Sequence, residues 1–433
     1  MYVMLPSRWA RAYRRLRAFA ARATNGFPDK KLILVGVTGT DGKTTTVNLV
    51  GHILRAAGKR VGWVSTLGAQ IGDEFIETGA HNTTVDPFPF YRLLAKMVRA
   101  RCELAVVELT SHALDQDRLG TMPLAAGIVT NIAHEHLDYH RRYEDYLAAK
   151  AKISSLVAKG RRNHGGTGTV VLNCEDRSFD QLRAYHRFTG VTVRTFGIGH
   201  GDIRGERLEE SLDGMTLTVI TDYGHHTVRT KLLGDYNIRN ILGAAMIAHV
   251  IGISWEKIHE GIETFQPLSG RLEPVACGQP FTVLVDFAHT PQALTEVLTL
   301  LKRLAQGKII VVFGAAGERD SSKRPAMGEA VGRLADAAFV TEEDPRSESV
   351  EAISRQIEEG LKSAGKREGE GYWLVADRRE AIARALRLAH AGDIVLLAGK
   401  GHETMMAMDH GEDKPWDDRI VAREELETLG WRR

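Results

Sequence analysis

The chain is short of cysteine, with Cys102, Cys174 and Cys277 lying far apart in 433 residues and forming no CxxC pair. That excludes a disulfide framework, offers no cysteine-based zinc site, and makes the cytoplasm the default compartment. It also lacks long apolar runs: none approaches the ~18–20 residues that span a bilayer. Arg17 and Arg22 interrupt the apolar stretch a signal peptide would need. Net charge is nearly absent, with 57 Lys+Arg against 55 Asp+Glu. No nucleic-acid partner is expected, and the protein is expected to act as a monomer.

The near-neutral total conceals an asymmetry. Residues 1–31 hold eight basic side chains and one acid, a net of +7, so the remainder carries −5. With 43% hydrophobic and 26% charged residues the chain is globular. At roughly 150 residues per domain its length predicts about three folding units.

From residue 32 onward short β-branched runs alternate with helical patterns, the signature of a parallel sheet covered by helices. Strands are expected at Lys31–Val37, Val61–Thr66, Leu104–Glu108, Gly127–Thr130 and Thr169–Asn173. Met215–Thr221 and Thr227–Leu232 follow as antiparallel strands. A second α/β pattern begins after Ser269-Gly270-Arg271, with strands at Thr282–Asp286, Lys308–Phe313, Ala337–Thr341, Tyr372–Val375 and Asp393–Ala398. The expected fold class is therefore α/β. A basic helix occupies 1–30, a central domain with a parallel sheet 31–270, which the loop described next makes a P-loop ATPase domain, and a Rossmann-like domain 271–433.

The first strand runs into Gly39-Thr40-Asp41-Gly42-Lys43-Thr44-Thr45 and then a helical pattern. Small residues there let backbone N–H groups approach phosphate oxygens, and the helix N-terminus adds positive potential. Lys43 would neutralise the β- and γ-phosphates of ATP, and the Thr44 hydroxyl would ligate Mg²⁺. The spacing departs from the strict Walker form, since Val37 stands where its first glycine belongs.

This loop resembles that of the Mur ligases and folylpolyglutamate synthetases, with Asp41 where asparagine is usual. Further blocks narrow the resemblance to the MurE-type branch of the Mur ligase family, which adds the third stem-peptide residue. They are His81-Asn82-Thr83-Thr84, Glu108-Leu109-Thr110-Ser111-His112-Ala113-Leu114, Thr130-Asn131, His136-Leu137-Asp138-Tyr139-His140, Tyr146–Lys150, Asp286–Pro291 and Gly399-Lys400-Gly401-His402-Glu403. They fall in family order and cover the chain from about residue 32 to its end.

The resemblance implies ATP-dependent amide synthesis through an acyl phosphate, with a muropeptide acceptor and a diamino acid as partners. Glu108 and His136 would each bind Mg²⁺; alone, they read equally well as a strand-end acid and a loop histidine. Lys150 sits in an apolar helical patch and alone reads as a snorkelling lysine. The resemblance instead implies that CO₂ carbamylates it and that the product helps place a second Mg²⁺. Burial favours the neutral amine, the form that reacts with CO₂.

By position, Asn82, Thr83, Thr84, Thr110, Gln116 and Arg118 would contact the acceptor. Asn237 and Asn240 would stand at the nucleotide side, and Arg271 and Asp286 would approach ATP from the C-terminal domain. Arg319, Asp344, Arg346, Gly399 and Glu403 match positions that hold meso-diaminopimelate. A guanidinium can grip the second carboxylate that distinguishes diaminopimelate from lysine. The motif reads Glu343-Asp344-Pro345-Arg346 instead of Asp-Asn-Pro-Arg, and Asp344 adds a negative charge near that carboxylate. Diaminopimelate is the favoured amine and lysine the alternative.

Family members carry an N-terminal uridine-binding domain, whereas about 30 residues precede the first strand here. A nucleotide-free or lipid-linked acceptor is therefore an alternative to a nucleotide-linked one. The leader reads as a helix from Ser7 to about Ala23. Trp9, Tyr13, Leu16, Ala20 and Ala23 form its apolar face, expected to pack on the ATPase domain, with peripheral membrane contact as the alternative.

Overall fold

The computed structural model describes residues 7–77, 86–133, 137–140, 142–164, 168–411 and 413–432. Contacts divide the chain into two units, 1–265 and 266–433.

In the first unit the helices are α1 (Ser7–Thr24), α2 (Lys43–Ala56), α3 (Pro87–Arg99), α4 (Ser111–Asp115), α5 (Leu137–His140), α6 (Tyr143–Ala151), α7 (Ile153–His164), α8 (Phe179–Arg187), α9 (Asp235–Val250) and α10 (Trp255–Glu263). The strands are β1 (Ile33–Thr38), β2 (Val61–Ser65), β3 (Gly68–Ile71), β4 (Glu74–Ile76), β5 (Leu104–Glu108), β6 (Ala126–Val129), β7 (Thr169–Asn173), β8 (Thr192–Gly197), β9 (Ile203–Ser211), β10 (Gly214–Thr221) and β11 (Gly224–Thr230). They form one sheet in the order β11-β10-β9-β8-β7-β6-β1-β5-β2-β3-β4.

Its centre is parallel, with β1 between β5 and β6. β5 and β6 are buried along their length and β1 from Leu34 onward, as a parallel sheet covered by helices on both faces requires. Because the strands run the same way, β1, β5 and β6 end on one edge, where their loops meet.

The second unit repeats the principle on a smaller scale. Strands β12 (Glu273–Pro274), β13 (Thr282–Asp286), β14 (Ile309–Phe313), β15 (Ala337–Val340), β16 (Tyr372–Leu374) and β17 (Ile394–Ala398) are ordered β12-β13-β17-β14-β15-β16. All pair in parallel except β12. Helices α11 (Pro291–Leu304), α12 (Lys323–Leu334), α13 (Val350–Ser363), α14 (Arg378–Leu388) and α15 (Asp418–Thr428) accompany them. Within this unit a fully buried ion pair, Arg378 with Asp418 at 2.7 Å, ties the start of α14 to the start of α15.

The expected α1 forms, but it packs through the opposite face. Ala18 and Ala21 are fully buried, whereas Tyr13, Leu16 and Phe19 face outward. The cause is a set of acids placed against the helix. Arg22 grips the buried Asp29 through two nitrogens, at 3.2 and 2.5 Å. Arg15 donates to Asp117 at 2.9 Å and Arg17 to Asp86 at 2.8 Å. Two small alanines also permit a close approach that Leu16 or Phe19 would obstruct.

Candidate active site

The loop after β1 is shaped by two glycines. Gly42 has φ +78°, and a Cβ there would lie 2.3 Å from Asn240 Oδ1. A Cβ on Gly39 would lie 1.8 Å from Thr130 Oγ1. The loop is thus held against β6 and α9 at distances that no side chain allows.

Polar contacts fix it further. Asp41 N donates to Asn131 Oδ1 at 2.9 Å, and Thr130 Oγ1 donates to Asp41 O at 2.7 Å. Thr40 Oγ1 accepts from Ala133 N at 2.9 Å and lies 3.0 Å from Tyr146 Oη. Lys43 Nζ folds back to donate to Thr40 O at 2.7 Å. Thr45 is buried in the first turn of α2.

Glu108, at the end of β5, reaches this loop. Its carboxylate accepts from Thr44 Oγ1 at 3.1 Å, from Thr66 N at 3.0 Å and from Thr66 Oγ1 at 3.0 Å. Carboxylate and hydroxyl oxygens in contact are hard donors of the kind Mg²⁺ takes, so these residues fit that ion.

Asn240 accepts from Thr46 Oγ1 at 3.3 Å and donates to Asn237 Oδ1 at 3.1 Å, so both asparagines lie directly behind the loop. Lys150 on α6 is 1% exposed, with Nζ 4.3 Å from the Tyr146 ring centroid. It therefore does not snorkel to water. Tyr146 connects this buried amine to the loop through Thr40.

Five side chains of this arrangement were absent from the sequence-derived site: Thr46, Thr66, Thr130, Asn131 and Tyr146. Asn131 and Tyr146 lie inside motif blocks, and Thr66 closes an expected strand on the ligand-bearing edge. His136 and the acceptor triplet Asn82, Thr83 and Thr84 lie outside the described residues.

The other acceptor candidates continue from β5. Thr110 caps α4, accepting from Ala113 N at 3.2 Å. Gln116 donates to Tyr139 Oη at 2.9 Å and accepts from Arg118 Nε at 2.8 Å. Asp115 accepts from Tyr139 Oη at 3.0 Å and from Lys152 Nζ at 2.9 Å. Burial tends to raise the Asp115 carboxyl, but Lys152 and Tyr139 hold it below the usual range.

In the second unit the ends of β13, β15 and β17 gather the remaining candidates. Asp286 is buried and accepts from Leu272 N and Ala288 N, each at 2.8 Å. Burial pushes its carboxyl up, against the opposing charge of Arg271. The Arg271 guanidinium stands 4.6 Å from the Phe287 ring centroid. Gly399 N donates to Asp286 O at 3.0 Å.

Lys400 is fully buried and donates to Asp344 Oδ1 at 2.7 Å and Glu403 Oε2 at 2.6 Å. Asp344 also accepts from Ala407 N at 2.9 Å. Burial opposes ionisation of Asp344, yet Lys400 and this N–H keep its carboxyl below the usual range. The charge that counted against a carboxylate-bearing amine is therefore offset within the protein by Lys400, which Glu403 shares, together with Arg346, whose Nη2 lies 3.9 Å from Asp344 Oδ2.

Arg346 donates to Gly317 O at 2.7 Å and to Asp344 O at 3.3 Å. Arg319 is exposed in the loop after β14 and has no described bond to this group. Glu343, also missed by sequence, is buried, and burial pushes its carboxyl up to about 7. Its Oε2 has no hydrogen-bond partner among the described residues.

A glycine-shaped phosphate loop at the end of a parallel sheet, with a carboxylate held on its threonine, defines a P-loop nucleotide-using α/β protein. Residues 37–248 match the Mur ligase middle domain, and residues 270–401 match the Mur ligase, glutamate ligase domain.

The UDP-N-acetylmuramyl-tripeptide synthetase of Roseiflexus sp. (strain RS-1) is 37% identical over 420 residues, spanning 95% of this chain and 82% of that protein. The UDP-N-acetylmuramoyl-L-alanyl-D-glutamate–2,6-diaminopimelate ligase of Geobacillus thermodenitrificans (strain NG80-2) is 38% identical over 413 residues, with the same shares. A solved structure of a ligase of that second name superposes with a TM-score of 0.64 at 27% identity, covering 96% of this chain and 83% of the other. The fold is also shared with Mycobacterium tuberculosis folylpolyglutamate synthase, at a TM-score of 0.74 and 16% identity over 96% of this chain and 95% of that one. The chain belongs to the Mur ligase family.

Proposed function

We propose that this protein is an ATP-dependent ligase that joins meso-diaminopimelate to a UDP-N-acetylmuramoyl-L-alanyl-D-glutamate acceptor in peptidoglycan precursor synthesis. The Thr44–Glu108 contact at the phosphate loop carries the reading from the structure. The names of relatives sharing 37–38% identity support the choice of substrates.

A carboxylate is a poor electrophile, so its oxygen first attacks the γ-phosphorus of ATP and ADP leaves. The resulting acyl phosphate is captured by the amine, and the tetrahedral intermediate expels phosphate to leave the amide. Asn131 holds the N–H groups of Thr40 and Asp41, so the backbone N–H groups of Gly42–Thr45 bind the phosphates, and Lys43 leaves its Thr40 carbonyl to pair with them. Thr44 and Glu108, with His136, would hold Mg²⁺, which supplies positive charge between the two anions. Asn82, Thr83, Thr84, Thr110, Gln116 and Arg118 orient the acceptor. Asn237, Asn240, Arg271 and Asp286 serve the nucleotide, and Arg319, Asp344, Arg346, Gly399 and Glu403 the amino acid.

Lys150 is assigned as the carbamylation site, on the strength of its burial beside Tyr146. The carbamate would turn a cation into an anionic oxygen ligand near the loop.

Phosphate release measured over a matrix of nucleotide-linked and nucleotide-free acceptors, each with diaminopimelate or lysine, tests the reading. Release that needs the nucleotide-linked acceptor and diaminopimelate together supports it. Equal or faster turnover with lysine or a nucleotide-free acceptor overturns the corresponding assignment.

A further inference from the structure

The outward face of α1 has no role in the chemistry above. Tyr13, Leu16 and Phe19 are 53%, 65% and 56% exposed, and Ala12 and Ala23 are exposed beside them. At 100° per residue these positions form one stripe without a charge. Phe27, edge-on to Phe19 with centroids 6.0 Å apart, extends the stripe beyond the helix. Soluble helices normally turn such a face inward; here the inward face is taken by Ala18, Ala21 and the arginine–aspartate pairs.

Charge borders the stripe. Arg15 and Arg17 flank it on either side, at 60% and 40% side-chain exposure. Lys30 and Lys31 are exposed near its end, and Lys30 Nζ stands 4.9 Å from the Phe27 ring centroid. From Ala12 to Lys31 six basic side chains meet three acids, Asp29, Asp86 and Asp117, and each acid is already bonded by one arginine.

We propose that α1 is an interfacial anchor that seats the protein on a membrane surface rich in anionic phospholipid. An apolar stripe that ends at Lys30 and Lys31, which pair with no acid among the described residues, matches the acyl–headgroup boundary, where the apolar side chains enter and the lysines reach phosphate. No described helix is long and apolar enough to cross a membrane, so the contact is peripheral. A second copy of the chain is a poorer occupant, because self-pairing sets two surfaces of like net charge, each with six basic side chains against three acids, face to face. The bonds to Asp86 and Asp117 couple the anchor to the segments beside residues 78–85 and Gln116–Arg118, the proposed acceptor side.

Co-sedimentation of the full chain with phosphatidylcholine vesicles, with and without phosphatidylglycerol, tests this without any turnover. Binding is expected only with phosphatidylglycerol and should weaken as salt rises. The double variant Leu16→Glu, Phe19→Glu should lower partitioning at least about tenfold with only a small change in melting temperature, since both side chains are more than half exposed. Absence of binding to phosphatidylglycerol vesicles at low salt overturns the proposal, as does binding that the double variant retains. Self-association lost in that variant, without vesicle binding, also overturns it and assigns the face to a second copy. If the double variant unfolds, Leu16→Ser alone supplies the comparison with the same readings.

Discussion

Replacing Asp344 by asparagine restores the residue usual in the motif and separates two uses of that side chain. In this protein Asp344 Oδ1 accepts from Lys400 Nζ and from Ala407 N. An asparagine oxygen can keep both bonds, so the change removes charge and leaves geometry. Hydrogen bonds to charged groups contribute about 1.5–3 kcal/mol and neutral ones about 0.5–1.5, so Asp344→Asn should cost about 1–2 kcal/mol. That corresponds to a fall of roughly 2–8 °C in melting temperature for a unit of this size.

Lys400→Met should cost more, about 3–5 kcal/mol, because it leaves the Asp344 and Glu403 carboxylates without their cation. Burial raises and Lys400 lowers the Asp344 carboxyl, with a net depression from its ordinary 3.8. Its stabilisation is present above that value and is lost as pH falls through the lower folded value. The gap between wild type and Asp344→Asn should therefore close in acid. Urea unfolding across pH measures all of this. An asparagine variant as stable as wild type at neutral pH, or a Lys400→Met variant less damaged than Asp344→Asn, would refute the reasoning.

Lys150→Ala should abolish amide formation, with partial rescue by a short carboxylic acid; full activity without rescue would remove Lys150 from the chemistry. Gly42→Ala places a methyl 2.3 Å from Asn240 Oδ1 at φ +78°, so the loop should distort at about 1–3 kcal/mol, read as a raised KM for ATP. Arg378→Met strands the buried Asp418 and should lower stability by about 3–5 kcal/mol in chemical denaturation. Burial holds Glu343 protonated up to about 7, against an ordinary 4.5. Its favourable contribution is therefore present below 4.5 and lost as pH rises to about 7. Glu343→Gln should flatten the stability profile in that window, and an unchanged profile would count against a buried neutral carboxyl.

The parts legible in the sequence were those where one residue's chemistry suffices. Glycine, lysine and threonine after a β-branched run announce a phosphate loop, because strand, tight turn and helix follow from local propensity. Leu104–Glu108, Thr169–Asn173 and Thr282–Asp286 form strands over the span expected, since a strand covered on both faces is apolar through its middle and polar only at its ends. The sequence was less informative at β9. Its charged residues lie in the exposed antiparallel part of the sheet, and pairing with β10 overrides their weak strand preference.

Composition and periodicity thus determined the α/β class, the phosphate loop and an amphipathic first helix. Which face of that helix turns inward was decided only in three dimensions. Amphipathicity favours burial of Tyr13 and Leu16, but Asp29, Asp86 and Asp117 are distributed along the chain and act on α1 only after folding. The same holds for Asp344. In the sequence it is an added negative charge; in the fold, Lys400, 56 residues away, balances it at 2.7 Å. Local patterns report what a residue prefers, whereas long-range partners decide what its charge is worth.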